Sequence, residues 1–317
     1  MVHDGAIVVG GEALVDLVRA GDDATLAAHR GGGPFNTART AARLDCPTSF
    51  LGMLSTDAFG SGLADRLVED GVAIDPALRT GLPTTLAVAE VDAEGAATYR
   101  FYTAGTAAPS LEPAAAVAAL PDDVAMVHIG TLGLVLQPLA GALRAVVERE
   151  AGCALVMVDL NCRPAAIPDR EAYRTSLEAT LAHTHVVKAS VEDLTWLFPD
   201  TSPAAAARGL LELGPKAVLM TDGSRGAAAV LAGGDLEVTA PAVRVVDTIG
   251  AGDAFGGAFL PWWHRRGLTH DELADAGPVG DAVAFACLVA AKTCERPGAC
   301  PPTLAELGSA AFGLPAQ

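Results

Sequence analysis

Lysine is nearly missing from this 317-residue chain: Lys188, Lys216 and Lys292 are all there is, and no Gly-x4-Gly-Lys-[Ser/Thr] loop occurs. A nucleotide site must therefore draw positive charge from backbone amides, arginine and metal, and the P-loop reading is excluded. Positive charge is short throughout, with 21 Lys+Arg against 38 Asp+Glu and a formal net charge of −17. Such a surface repels nucleic acid and anionic membranes, so neither is expected as a partner. The six cysteines, Cys46, Cys153, Cys162, Cys287, Cys294 and Cys300, form no CxxC pair and have no histidines at zinc spacing. Reduced thiols are expected rather than a disulfide framework or a zinc site. The N-terminal Met1-Val2-His3-Asp4-Gly5 lacks a basic n-region and a long apolar core, and no apolar stretch is expected to reach membrane-spanning length. A cytoplasmic protein is the expectation.

Hydrophobic residues make up 51% of the chain, enough for a large core, and the length suits one large α/β unit with an appendage. Ala6-Ile7-Val8-Val9-Gly10-Gly11 reads as a buried strand ending in glycines, followed by a second strand through Asp16. The third glycine of G-x-G-x-x-G is missing and no helix start follows, which argues against a dehydrogenase. Residues 48–54 read as a strand, and Asp57-Ala58-Phe59-Gly60 opens a helix ended by Gly71. Segments 84–89 and 96–102 flank the turn Asp92-Ala93-Glu94-Gly95 as a hairpin. From residue 124 strands and helices alternate, with a strand at 125–129, a helix over 136–150 and a strand at 154–158, so a parallel sheet is predicted. An apolar helix is expected over 282–291.

The chain is organised around Val246-Asp247-Thr248-Ile249-Gly250-Ala251-Gly252-Asp253-Ala254-Phe255-Gly256-Gly257 and the apolar run at 258–263 that follows. The spacing predicts a helix start with the amides of Gly250, Ala251 and Gly252 pointing outward together, a place where an anion such as phosphate is favoured. Asp253 at the same turn is suited either to accept a proton from a hydroxyl attacking a phosphoryl group or merely to cap the helix. Asp16 sits among apolar neighbours and needs a partner, a salt bridge or a ligand. Arg30-Gly31-Gly32-Gly33-Pro34-Phe35-Asn36 opens a helix, its glycines serving close ligand approach or plain flexibility. Asp159-Leu160-Asn161-Cys162-Arg163-Pro164 puts polar residues at the carboxyl edge of a strand, where open α/β sheets bind ligands. Ser190-Val191-Glu192-Asp193 reads as a capping box, and 217–227 as a hairpin around a glycine turn.

Asp247-Thr248-Ile249-Gly250-Ala251-Gly252-Asp253 resembles the C-terminal signature of the ribokinase-like (PfkB) family of carbohydrate kinases, and the Gly32-Gly33 loop with Asn36 resembles its N-terminal signature. The resemblance covers nearly the whole chain. It implies a three-layer α/β/α fold with a mostly parallel central sheet: one kinase domain over 1–317 carrying a small β-sheet lid from about 12–32 and 84–104. It implies Asp253 as catalytic base, Gly250, Ala251 and Gly252 as the anion hole, and Asp16, Gly32, Gly33 and Asn36 as sugar ligands, with Arg100 and Arg163 as further substrate candidates. Thr221, Gly223 and Gly226 match the family's nucleotide loop, and Ser190 belongs to its Asn-x-x-Glu element, with serine in place of asparagine. Asp193 or Glu192 then serves magnesium through water. Asp247 and Ile249, with the loop around Gly298, stand where relatives hold potassium, or Asp247 only braces the turn.

The expected activity is transfer of the γ-phosphoryl group of ATP to a sugar hydroxymethyl, with ATP and Mg²⁺ as cofactors, K⁺ as an optional one and a homodimer left open. The Asp159–Pro164 element and Ser190 resemble fructokinases, which places fructose first and 2-keto-3-deoxygluconate second. A nucleoside kinase and a non-catalytic sugar-sensing protein are the remaining alternatives.

Overall fold

A computed structural model describes residues 5–19, 25–91 and 97–308. The first strand, β1 (Ala6–Gly10), is followed by β2 (Leu14–Arg19), β3 (Leu26–Gly31) and helix α1 (Gly33–Arg43). Then come β4 (Thr48–Leu51), β5 (Met53–Ser55), α2 (Ala58–Glu69), β6 (Leu78–Thr80), β7 (Leu86–Val91) and β8 (Ala97–Tyr102). After α3 (Pro113–Ala118) the strict alternation begins: β9 (Val124–Gly130), α4 (Leu139–Glu150), β10 (Leu155–Asp159), α5 (Arg170–Leu181), β11 (Val186–Ser190). Helices α6 (Val191–Leu197) and α7 (Pro203–Leu211) lead to the hairpin strands β12 (Ala217–Thr221), β13 (Ala227–Leu231) and β14 (Gly234–Val238). Helices α8 (Ala251–His264), α9 (Ala276–Cys294) and α10 (Leu304–Leu307) follow.

The main sheet runs β14-β13-β12-β11-β10-β9-β1-β4, parallel from β4 to β12 and antiparallel only at β13 and β14. Its strands are apolar on both faces, as parallel strands between two helical layers must be. Ile7, Val9, Met126, Leu155, Met157 and Val186 pack with α1, α8 and α9, while Val8, Val127, Val156, Val158 and Val187 pack with α4 and α5 on the other side. This is the expected three-layer α/β/α arrangement. A separate four-stranded sheet, β3-β2-β7-β8, pairs β2 parallel with β7 and each with its own antiparallel partner. The turn expected at Asp92–Gly95 lies outside the described residues.

Several boundaries differ from the sequence expectation. The single strand over 48–54 is two: β4 joins the main sheet, whereas β5 leaves it to pair with β6. The break falls at Gly52, where a Cβ would lie 2.6 Å from the Gly11 carbonyl oxygen, so the chain can turn there only without a side chain. The helix expected from 136 starts at Leu139, because Gln137 precedes a proline and is disfavoured in the helical region. Helix α9 is longer than expected, spanning nineteen residues with mean hydropathy 1.3, which is membrane-spanning length and apolarity by composition. It packs on α8 within the core cluster that also holds the sheet residues. All six cysteines are free, as expected.

Candidate active site

The parallel strands end on one side of the sheet, and the residues singled out in sequence collect there. Helix α8 starts at Gly250, whose φ of 76° is left-handed and whose added Cβ would lie 2.5 Å from that of Ala299. Only glycine fits such a position without strain. The three expected amides are not equivalent. Ala251 N–H is turned to the Thr248 carbonyl at 3.3 Å, while Gly250 and Gly252 N–H have no partner among the described residues. Two free amides at a helix N-terminus remain for an anion.

Asp253 does not cap α8. Its Oδ2 accepts from Asn36 Nδ2 at 2.9 Å and its Oδ1 from Asn161 Nδ2 at 3.4 Å, so helices α1 and α8 and the loop after β10 converge on one carboxylate. Burial pushes its pKa up to about 6; the Asn36 hydrogen bond, Lys188 and Arg163 oppose the rise and Asp159 adds to it. Below the turn, Lys188 on β11 forms a buried ion pair with Asp159 at the end of β10, at 2.8 and 3.0 Å. Burial disfavours the Lys188 ammonium, yet the Asp159 charge outweighs this and its pKa is raised. A Cβ on Gly252 would sit 3.5 Å from Lys188 Nζ, which places that charge directly under the anion-binding turn.

A cavity of about 660 Å³ is walled by Asp16, Asn36, Tyr99 and Asp247 among others, and meets Asp253 through the Asn36 side chain bonded to it. The Asp16 carboxylate has no hydrogen bond or ion pair among the described residues; it lies over Gly31, where any side chain would collide with it. Burial pushes its pKa up to about 6, against the influence of His29 and Arg163. A half-buried carboxylate without a protein partner is costly unless a ligand supplies the donors. Gly33 follows at the head of α1, packed against Thr131, and Gly32 caps that helix. Arg163 is partly buried, donates to its neighbour's carbonyl at 3.3 Å and acts electrostatically on both Asp16 and Asp253. Arg100 is not at the cavity wall. Its neighbour Tyr99 is, and since successive strand residues face opposite sides, Arg100 belongs to the other face of β8.

On the far side of the turn, Ser190 caps α6 and completes a capping box with Asp193. Both Asp193 oxygens are engaged, Oδ1 by Cys162 N–H at 2.7 Å and Oδ2 by Ser190 N–H at 2.8 Å. Glu192 is exposed, and its charge favours the Arg225 cation. Thr221 ends β12 next to Ser190, and Gly223 and Gly226 bracket the turn into β13. Asp247 accepts from Ile249 N–H at 3.0 Å and from Gly298 N–H at 2.8 Å, which braces the turn onto the loop at 297–299. No group of three His, Cys, Asp or Glu side chains suited to a metal occurs among the described residues.

Glu12 was not anticipated. It is fully buried behind the Gly32-Gly33 loop, accepting from Gly33 N–H at 3.3 Å and Gly133 N–H at 3.1 Å, and burial pushes its pKa up to about 8. Lys188, Asp159 and Asn161 are likewise site residues to which the sequence expectation gives no role. A lone charge inside an apolar strand, as at Val186-Val187-Lys188-Ala189, was the available signal, because such a charge must be paired.

Comparison with known proteins finds relatives over most of the chain. The pfkB family carbohydrate kinases match residues 5–306. A fructokinase of Rhizobium leguminosarum bv. trifolii is 35% identical over 261 residues, 80% of this chain and 78% of the relative. Fructokinase-1 of Oryza sativa subsp. japonica is 33% identical over 312 residues, 93% of each. Among solved structures, the fructokinase of Xylella fastidiosa with bound ATP superposes with a TM-score of 0.87 at 29% identity, over 95% of this chain and 96% of that one.

Proposed function

Because the chain belongs to the pfkB family of carbohydrate kinases, we propose that it is an ATP-dependent fructokinase that phosphorylates a hydroxymethyl of D-fructose. The observation that carries the reading is Asp253: a buried carboxylate with raised pKa, fixed by two asparagines of which Asn36 lines the cavity that holds an unpartnered carboxylate, in the same turn as two free helix-terminal amides. The relatives named fructokinase, at 35 and 33% identity, support fructose as the sugar.

In this reading Asp16, Asn36 and the Gly32-Gly33 loop hold the sugar hydroxyls, and Asp253 aims the attacking hydroxyl and takes its proton. The hydroxyl oxygen bonds to the γ-phosphorus as the bond to the bridging oxygen breaks, and ADP leaves. The amides of Gly250 and Gly252, with the Lys188 charge beneath them, stabilise the negative charge on the transferring group. Thr221, Gly223 and Gly226 line the nucleotide side with Ser190. The four-stranded sheet, with Tyr99 on its inner face, acts as the lid that excludes water from the reacting groups.

Magnesium supplies charge neutralisation when it arrives with the nucleotide phosphates. Glu192 is the residue with a free carboxylate to reach its waters, since the Asp193 oxygens are spent on amides. Asp247 we read as the brace of the turn that opens α8, held by the Ile249 and Gly298 amides.

A second sugar is favoured by one feature. Arg163 stands electrostatically against Asp16 and Asp253 and would meet the carboxylate of 2-keto-3-deoxygluconate. Steady-state kinetics with ATP and both sugars separates the two. The expected result is a higher kcat/KM for fructose; a clearly higher value for the keto-deoxy acid reverses the ranking, and activity on neither rejects both.

A further inference from the structure

Asn36 reaches Asp253 only with the NH₂ end of its amide, and a buried arginine meets the oxygen at the other end. Arg39 lies one turn further along α1 and is 5% exposed. Its Nε donates to Asp70 Oδ2 at 2.7 Å, and its Nη1 donates to the Ala299 carbonyl at 3.0 Å and to Asn36 Oδ1 at 3.4 Å. Charge balance alone does not explain its presence, because the same Asp70 carboxylate also receives Arg43 and Arg66, each at 2.9 Å. Those two, which also reach Glu306 and Glu69, already supply Asp70 with a cation, and burying a third guanidinium costs solvation.

The chemistry of the two side chains supplies a reason. A guanidinium has five N–H donors and no acceptor, so the end of the Asn36 amide that meets it must be the oxygen. The NH₂ end is then left facing Asp253, where it donates at 2.9 Å. With the amide reversed, its oxygen would face a carboxylate oxygen and the hydrogen bond would become a repulsion. Asp70 and the Ala299 carbonyl anchor the guanidinium, so it cannot follow Asn36 if that side chain turns.

We propose that Arg39 is a positioning residue for phosphoryl transfer, acting through Asn36 to hold the Asp253 carboxylate towards the sugar hydroxyl. The inference rests on Asp253 as the base. A double-mutant cycle of Arg39→Gln and Asn36→Ala, read as kcat/KM for fructose together with KM for ATP, tests it. Arg39→Gln alone is expected to lower kcat/KM about tenfold, the worth of a hydrogen bond to a charged group, without changing the ATP KM. In the Asn36→Ala background the same substitution is expected to change kcat/KM by less than about twofold. An equal effect in both backgrounds, or none in the parent, overturns the proposal. If Arg39→Gln does not fold as judged by thermal melting, Arg39→Lys, which keeps a cation opposite Asp70, runs the same cycle. The base assignment fails separately: near-normal turnover in Asp253→Asn would remove it, whereas an additive cycle with Asp253 still essential removes only the role of Arg39.

Discussion

At the scale of single residues, the proton inventory of the site makes a direct claim. Asp253 must be ionised to accept a proton, and burial lifts its pKa to about 6. Its charged, working form therefore prevails above pH 6 and is lost as the pH falls through that value. Asp16, also lifted to about 6 by burial, titrates in the same window. The profile of kcat/KM against pH is expected to be level near neutrality and to fall about tenfold per unit below pH 6, more steeply if both carboxylates must be ionised. A profile still level at pH 5 would contradict the assignment. Asp253 and Asn36 were legible as site candidates from the glycine-rich segments that carry them, and Asp16 from being a lone charge among apolar neighbours. Arg100 was misplaced by one position, since which face of a strand looks inward depends on its pairing partners. Glu12 is satisfied by amides from residues 21 and 121 positions away, partners that no local reading can supply.

The turn that opens α8 can be tested as an element by comparing its two glycines. Gly250 has φ 76° and a Cβ there would lie 2.5 Å from that of Ala299, whereas Gly252 is within α8 and a Cβ would meet nothing closer than Lys188 Nζ at 3.5 Å. Gly250→Ala is expected to destabilise the fold by about 2–4 kcal/mol, combining left-handed strain with overpacking. Gly252→Ala is expected to be neutral or stabilising by up to about 1 kcal/mol, the helix propensity gain of alanine. Denaturant unfolding of both variants checks this, and equal stabilities would show that the turn is not held as described. The helix starts at Gly33, Ala58 and Ala251 were readable from glycine, aspartate and apolar periodicity. What escaped was set by contacts across the fold: the strand break at Gly52 answers to the Gly11 backbone, and the length of α9 reflects packing on α8.

For the molecule as a whole, the βα alternation after residue 124 made a parallel sheet legible, but not the strand order. Placing β1 between β9 and β4 brings the Gly11-Glu12 segment beside Gly133, and Glu12 there accepts from both Gly133 and Gly33, tying the buried glutamate to the Gly32-Gly33 loop. The small sheet likewise depends on β2 pairing with β7 some seventy residues later, a long-range contact whose closure carries an entropy cost that local sequence does not reveal. The whole arrangement converges on one carboxylate, so the most direct measurement is made there. Asp253→Asn keeps the side-chain volume and an oxygen for Asn36 while removing the base. Calorimetry is expected to show fructose and ATP binding largely retained, with kcat lowered by a factor of about 10² to 10⁴; near-normal turnover in that variant would contradict the account.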